Sequence, residues 1–184
     1  MRHLVVFVSA SLWLASSSQA REVITGPEKG AKVPALKVFD ATGTHKDKEV
    51  DYAAERAGKP TVYLLIDAEK FDRPKNRFVK TLDGVVANDF EGAYVVAVWL
   101  TSDSDKTKAL LPRVQQSVQF EATALTLFPG AKEGPKAWGV NGDAHLTAVV
   151  TNNEKVAATF GYRSINETDV PKVKEALKKA IKRN

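Results

Sequence analysis

The chain has no cysteine. That absence excludes a disulfide framework, thiolate metal ligands and a thiol nucleophile together. Histidine is scarce too: His3, His45 and His145 show no ligand spacing, so no metal site is expected. The run Ser102-Asp103-Ser104-Asp105 pairs two acids, but the central glycine and closing glutamate of an EF-hand loop are missing. No glycine-rich phosphate loop is present, and Ser117 and Ser164 lie in no nucleophile-elbow context. These gaps leave no expected cofactor. No apolar run reaches the roughly 20 residues that a membrane span needs.

What is present begins at the N-terminus. Arg2 and His3 precede an apolar run from Leu4 to Ala15, closed by Ser16-Ser17-Ser18-Gln19-Ala20. A basic start, an apolar centre and a small-x-Ala ending predict a secretory signal peptide over residues 1–20. An uncleaved anchor is the alternative, and a lipid anchor is not expected without an acceptor cysteine. Cleavage near Ala20 gives an exported protein, periplasmic or extracellular, with no stable membrane insertion. Residues 21–32 read as an irregular leader and residues 33–184 as one domain, long enough for a real core. The formal charge is +5, and much of the excess sits in Lys172, Lys174, Lys178, Lys179, Lys182 and Arg183. A solvated helix face accounts for such a run, so nucleic acid is not an expected partner.

Hydrophobic patterning then sets out the elements. Val33 to Gly43 alternates and ends at a glycine turn, which reads as an edge strand, and Val50 to Ala57 reads as a short helix before Gly58. Thr61-Val62-Tyr63-Leu64-Leu65-Ile66 is apolar without alternation, as in a strand buried on both faces. After it, Asp72 can cap a helix whose first turn holds Pro74, and Phe78, Leu82, Val85 and Val86 form one apolar stripe. Tyr94 to Leu100 is a second buried parallel strand. The helix from Lys106 towards Val118 contains Pro112, which is expected to kink or divide it. Leu125 to Phe128 is a short strand, and Leu146–Thr151 with Lys155–Phe160 reads as a hairpin across Asn152-Asn153-Glu154. Asn166 to Asp169 starts the last helix, with Val170, Val173, Leu177, Ala180 and Ile181 as its buried stripe.

Lys59-Pro60 before a buried strand, then Ala68-Glu69 and a helix, resembles a thioredoxin-like domain of the redoxin, TlpA or AhpC type. Trp138-Gly139-Val140-Asn141-Gly142, a hairpin and Phe160-Gly161 are similar to that family's later segments, so the resemblance spans about residues 27–182. It implies an α/β fold: a thioredoxin-like three-layer sandwich, a mixed central sheet with helices on both faces. It also implies a Cys-x-x-Cys pair at the helix start, which here falls on Phe71-Asp72-Arg73-Pro74. The family's cis-proline position matches Leu146, or His145 in a shorter loop, where a trans bond is expected.

Thiol–disulfide exchange and peroxidase activity are therefore not expected. The resemblance places Phe71, Asp72, Arg73 and Lys75 opposite Asp143, His145 and Leu146, and these are the candidate binding residues, with no catalytic residue assigned. A helix N-terminus flanked by Arg73 and Lys75 can hold an anion, and His145 oriented by Asp143 can act as a base. Solvated loop side chains, with Asp72 as no more than a cap, are the plain alternative. The leading expectation is an exported, redox-inactive module that binds an unidentified protein or small molecule. The alternatives are an enzyme with non-thiol chemistry at this corner, or a structural envelope protein.

Overall fold

The run Thr61 to Ile66 becomes strand β3 (Thr61–Asp67), and its composition follows from its position: every residue from Thr61 to Ile66 is buried. It pairs in parallel with β4 (Tyr94–Leu100) along its whole length, and antiparallel with β6 (Leu146–Asn152) from Thr61↔Thr151 to Ile66↔Leu146. The computed structural model describes residues 22–182, and the signal peptide expected over residues 1–20 lies outside them. The remaining strands are β1 (Lys37–Asp40), β2 (Lys48–Asp51), β5 (Thr123–Leu127) and β7 (Lys155–Tyr162). One mixed seven-stranded sheet results, in the order β2-β1-β5-β4-β3-β6-β7.

The helices are α1 (Tyr52–Glu55), α2 (Arg73–Asp89), α3 (Ser104–Val118) and α4 (Val170–Lys182). Val62, Leu64 and Ile66 of β3 face Phe78, Leu82 and Val86 of α2, Leu111 of α3, and Val173 and Leu177 of α4. Tyr63 and Leu65 face the other way, into a second core with Tyr52 of α1, Val149 and Trp138. Trp138 sits in a 3-10 turn and is fully buried, its indole N–H donating to the Ala35 carbonyl at 3.1 Å. α2, α3 and α4 therefore cover one face of the sheet, and the single turn α1 with the Trp138 turn lies over the other, the two sides of the α/β sandwich. Among the described residues no helix is long and apolar enough to cross a membrane.

Three expectations are corrected. β1 is not an edge strand: β2 pairs outside it and β5 inside. The reason is a buried carboxylate. Asp40 accepts the backbone N–H groups of Thr42, Gly43 and His45 and the Tyr52 hydroxyl, which folds the chain back and recruits Lys48–Asp51 as a strand. Gly43 is required in that turn, since a Cβ there would lie 2.5 Å from the Tyr52 hydroxyl oxygen. The short helix expected over Val50–Ala57 shrinks accordingly to α1, capped by Asp51. Pro112 does not divide α3, which runs on to Val118. Pro112 is exposed, and the helix stops at Gln119 instead, in the left-handed region at φ 55°.

Asp83, also fully buried, joins α2 to the start of β5. Its carboxylate accepts the Ala122 N–H at 2.9 Å, the Thr123 hydroxyl at 2.7 Å and the Glu121 N–H, with Lys80 Nζ at 3.3 Å. Asp83→Ala leaves the buried Ala122 N–H and Thr123 hydroxyl without this acceptor, and is expected to cost about 3 kcal/mol in denaturant unfolding. A loss below about 0.5 kcal/mol, the ordinary size for a surface change, would show that the carboxylate does not hold this junction.

Candidate functional site

β3 and β4 end side by side at Asp67 and Leu100. In open α/β sheets, ligand sites gather outside these carboxyl ends of the strands. Asp67 accepts the Glu69 N–H at 3.1 Å, capping a 3-10 turn over Ala68–Lys70, and pairs with Lys70 Nζ at 3.0 Å. Phe71 follows, half-buried, its ring edge-on to Trp99 with centroids 5.4 Å apart. Asp72 caps α2, its carboxylate accepting the Lys75 N–H at 3.1 Å and the Lys75 ammonium at 2.7 Å. That ammonium belongs to a side chain only 3% exposed, so the cap also neutralises a buried charge. Pro74 occupies the first turn of the helix, where its missing N–H costs nothing. The Arg73 side chain is exposed and makes no hydrogen bond or ion pair among the described residues.

The opposing loop is held from two sides. The Asn141 N–H donates to Thr25 Oγ1 at 2.9 Å, its side-chain amide donates to the Ile24 carbonyl at 3.1 Å, and Lys70 Nζ donates to the Gly142 carbonyl at 3.3 Å. The His145 N–H donates to the Tyr162 carbonyl at 2.8 Å, and its own carbonyl accepts the Asp67 N–H at 3.1 Å. His145 is thereby stitched between β3 and β7 by its main chain, while its imidazole makes no hydrogen bond among the described residues. Asp143 does not orient it: the Asp143 carboxylate is paired with Arg163. Leu146 is fully buried opposite Ile66 and belongs to the core rather than to the surface. No cis peptide bond occurs among the described residues, so the bond preceding Leu146 is trans.

The charges at this corner act on one another. Partial burial works to raise the Asp72 pKa, but the Lys75 ammonium and N–H, aided by His145, outweigh it and hold the carboxyl below its ordinary value. Burial, then the charges of Lys70 and Lys75, push His145 below its ordinary value, with Asp67 and Asp72 offsetting only part. Asp72, Lys75 and His145 thus form one cluster with Lys70 and Asp67. Phe71 stands at its side, and Asp143 is turned to a different partner.

Sequence reasoning missed Asp67 and Lys70, although their i,i+3 spacing after a strand was a usable signal. It also missed Glu69, which accepts the Ser102 hydroxyl at 2.6 Å, with Lys132 Nζ at 3.6 Å. The bond between Thr25 and Asn141 spans 116 residues and had no sequence signal.

No family model matches the sequence, and no curated protein matches it either. Solved structures do match. A DsbF homologue from Corynebacterium diphtheriae superposes with a TM-score of 0.60 at 16% identity, covering 91% of this chain and 99% of its own. Reduced Prx3 from Vibrio vulnificus gives 0.61 at 18%, covering 83% and 96%. A candidate DsbE thiol:disulfide interchange protein from Chlorobium tepidum gives 0.62 at 18%, covering 84% and 98%. The chain has a thioredoxin-like fold. In this instance of it, no cysteine is present at the corner or elsewhere. Among the described residues no group of three or more His, Asp or Glu side chains could hold a metal ion. What the thioredoxin-like corner can offer is charge and shape: a capped helix start, one free guanidinium and a half-exposed imidazole.

Asp72 ties this charge to stability. Its folded pKa is depressed, so its contribution is complete above the unfolded carboxyl value of about 4 and is lost as pH falls through the lower folded value. Asp72→Ala is expected to cost at least about 1 kcal/mol at neutral pH, since it removes the cap and leaves the buried Lys75 ammonium unpaired, and to flatten the stability–pH curve below about pH 4. Urea unfolding measured across that range checks both; an unchanged slope would remove the ionised cap from the account.

Proposed function

We propose that the chain is an exported, redox-inactive thioredoxin-like protein that binds a protein or small-molecule partner at the corner between the α2 N-terminus and the 141–145 loop. One observation carries this reading. The sheet and helices of the fold are present, yet Phe71 and Pro74 stand where the resemblance places the reactive pair and a trans bond precedes Leu146, in a chain without cysteine. Without a thiolate there is no attacking group for dithiol exchange. Main-chain bonds fix both sides of the corner, and a surface that is already ordered has less conformational entropy to lose on binding. Arg73, exposed and unpaired, and His145, half-exposed and shifted towards its neutral form, are the groups left to meet a partner. Export rests on the signal pattern of residues 1–20.

An enzyme using His145 as a base is the second reading from the sequence. It has lost its orienting carboxylate, because Asp143 holds Arg163, and no other observation favours it. A scaffold protein of the envelope is the third.

The test compares the exported protein with an Arg73→Ala/His145→Ala variant; the two native side chains make no hydrogen bonds among the described residues, so their removal should leave folding intact. Each is used to capture partners from an extract of the protein's own exported compartment. The expected result is a partner held by the native protein and recovered about tenfold less by the folded variant, a change of about 1.4 kcal/mol. Equal recovery moves the binding surface elsewhere, and no capture at all favours the scaffold.

A further inference from the structure

Away from this corner, residues 22–32 form a strap along the outer edge of β7. The strap is pinned at both ends. The Val23 N–H donates to the Gly161 carbonyl at 2.9 Å, while Gly30 and Ala31 exchange backbone bonds with Val156 at 2.8 and 2.9 Å. Isolated bridges Glu22↔Tyr162 and Lys32↔Lys155 mark the same two ends. Gly161 admits this contact because a Cβ there would overlap the Val23 carbonyl and the Thr25 methyl. Between the pins, residues 157–160 exchange no backbone bond with the strap, and only the Thr159 hydroxyl reaches it, donating to the Pro27 carbonyl at 2.7 Å. Thr159 lies under the strap with Thr147 and Val149, on one face of the sheet. Ala158 and Phe160 lie on the other, beside α4, and are only partly covered.

A cavity of about 350 Å³ opens there. Its floor is apolar: Ala157, Ala158 and Phe160 from β7, with Ala176 and Ala180 from α4. Its rim carries three cations and one anion, Lys29, Lys172, Lys179 and Glu175. Lys172 lies 5.3 Å from the centre of the Phe160 ring and is paired with Glu22; Glu175 is 3.9 Å from Lys178. Lys29 on the strap and Lys179 on α4 have no ion partner among the described residues. Two uncompensated ammonium groups thus stand at the mouth of an apolar pocket, one on each wall.

We propose that this pocket is a second binding site, which takes a small apolar carboxylate, aliphatic or aromatic. The volume falls within the range of about 300–1,000 Å³ usual for small-ligand sites. A bare inorganic anion leaves the alanine and phenylalanine floor wetted, and a neutral apolar molecule leaves both lysines unanswered. A carboxylate on a short apolar body satisfies both. An extended peptide strand is excluded by the pins, which close the edge of β7 above and below the open stretch. The site is independent of the corner described above.

The test titrates the whole exported chain with octanoate below its micelle concentration, and in parallel with octanol and octylammonium, following backbone amide NMR shifts. Octanoate is expected to saturate a single site, moving the amides of residues 157–160 and 172–180, and to bind at least about tenfold more tightly than either control. Lys29→Gln/Lys179→Gln, both exposed positions, is expected to weaken octanoate about tenfold, and Ala176→Leu to fill the pocket and remove binding. If Ala176→Leu fails to fold, the double lysine variant still decides. No saturation, equal binding of all three probes, shifts confined to other residues, or an unweakened lysine variant would each overturn the proposal.

Discussion

β3 is hydrogen-bonded to a neighbour on both edges and covered on both faces, and the position of the candidate site follows from that. Six consecutive buried residues, Thr61 to Ile66, leave the strand no freedom to slip, because a one-residue shift would exchange Val62, Leu64 and Ile66 with Tyr63 and Leu65 between two differently shaped cores. Its last residue, Asp67, is therefore delivered to a fixed point. The turn it caps, the helix start at Asp72 and the His145 carbonyl bonded to the Asp67 N–H all inherit that point.

Buried charge does the remaining positioning. Asp40 folds the β1–β2 hairpin, Asp83 fastens α2 to β5, and Lys75 is sunk beneath the cap that neutralises it. A chain with no disulfide must hold its junctions by packing and by such fully satisfied polar groups. Each carboxylate has several donors around it, which is the condition under which a buried charge is tolerable at all. The aromatic layer contributes on the far face, where Tyr63 and Trp138 meet edge-on at 5.1 Å.

Much of this was legible in the sequence, and the exceptions have physical causes. β3, β4, the hairpin and α4 could be read because their burial is two-sided or strongly periodic, so composition alone reports it. Asp72 and Pro74 at the start of α2 were legible because helix entry depends on local chemistry. The internal place of β1 was not, since it depends on β2, a four-residue strand of mostly charged residues recruited by the Asp40 turn. At the corner, the grouping of Asp72, Lys75 and His145 followed from the fold resemblance. The diversion of Asp143 to Arg163 did not, because two exposed side chains on adjoining loops choose partners by geometry that no local pattern encodes.

The central claim of the proposed reading is that the corner keeps the helix start of a thiol site while lacking the thiols. The most direct measurement restores them: Phe71→Cys/Pro74→Cys, followed by titration of the thiol at position 71 and by its oxidation. If that helix start is retained, the α2 N-terminus favours the thiolate. The thiol should then titrate below the free value of about 8.5, and a disulfide should close between the two positions. A thiol that titrates at or above that value, with no disulfide formed, would contradict the account and leave the fold resemblance without meaning at this corner.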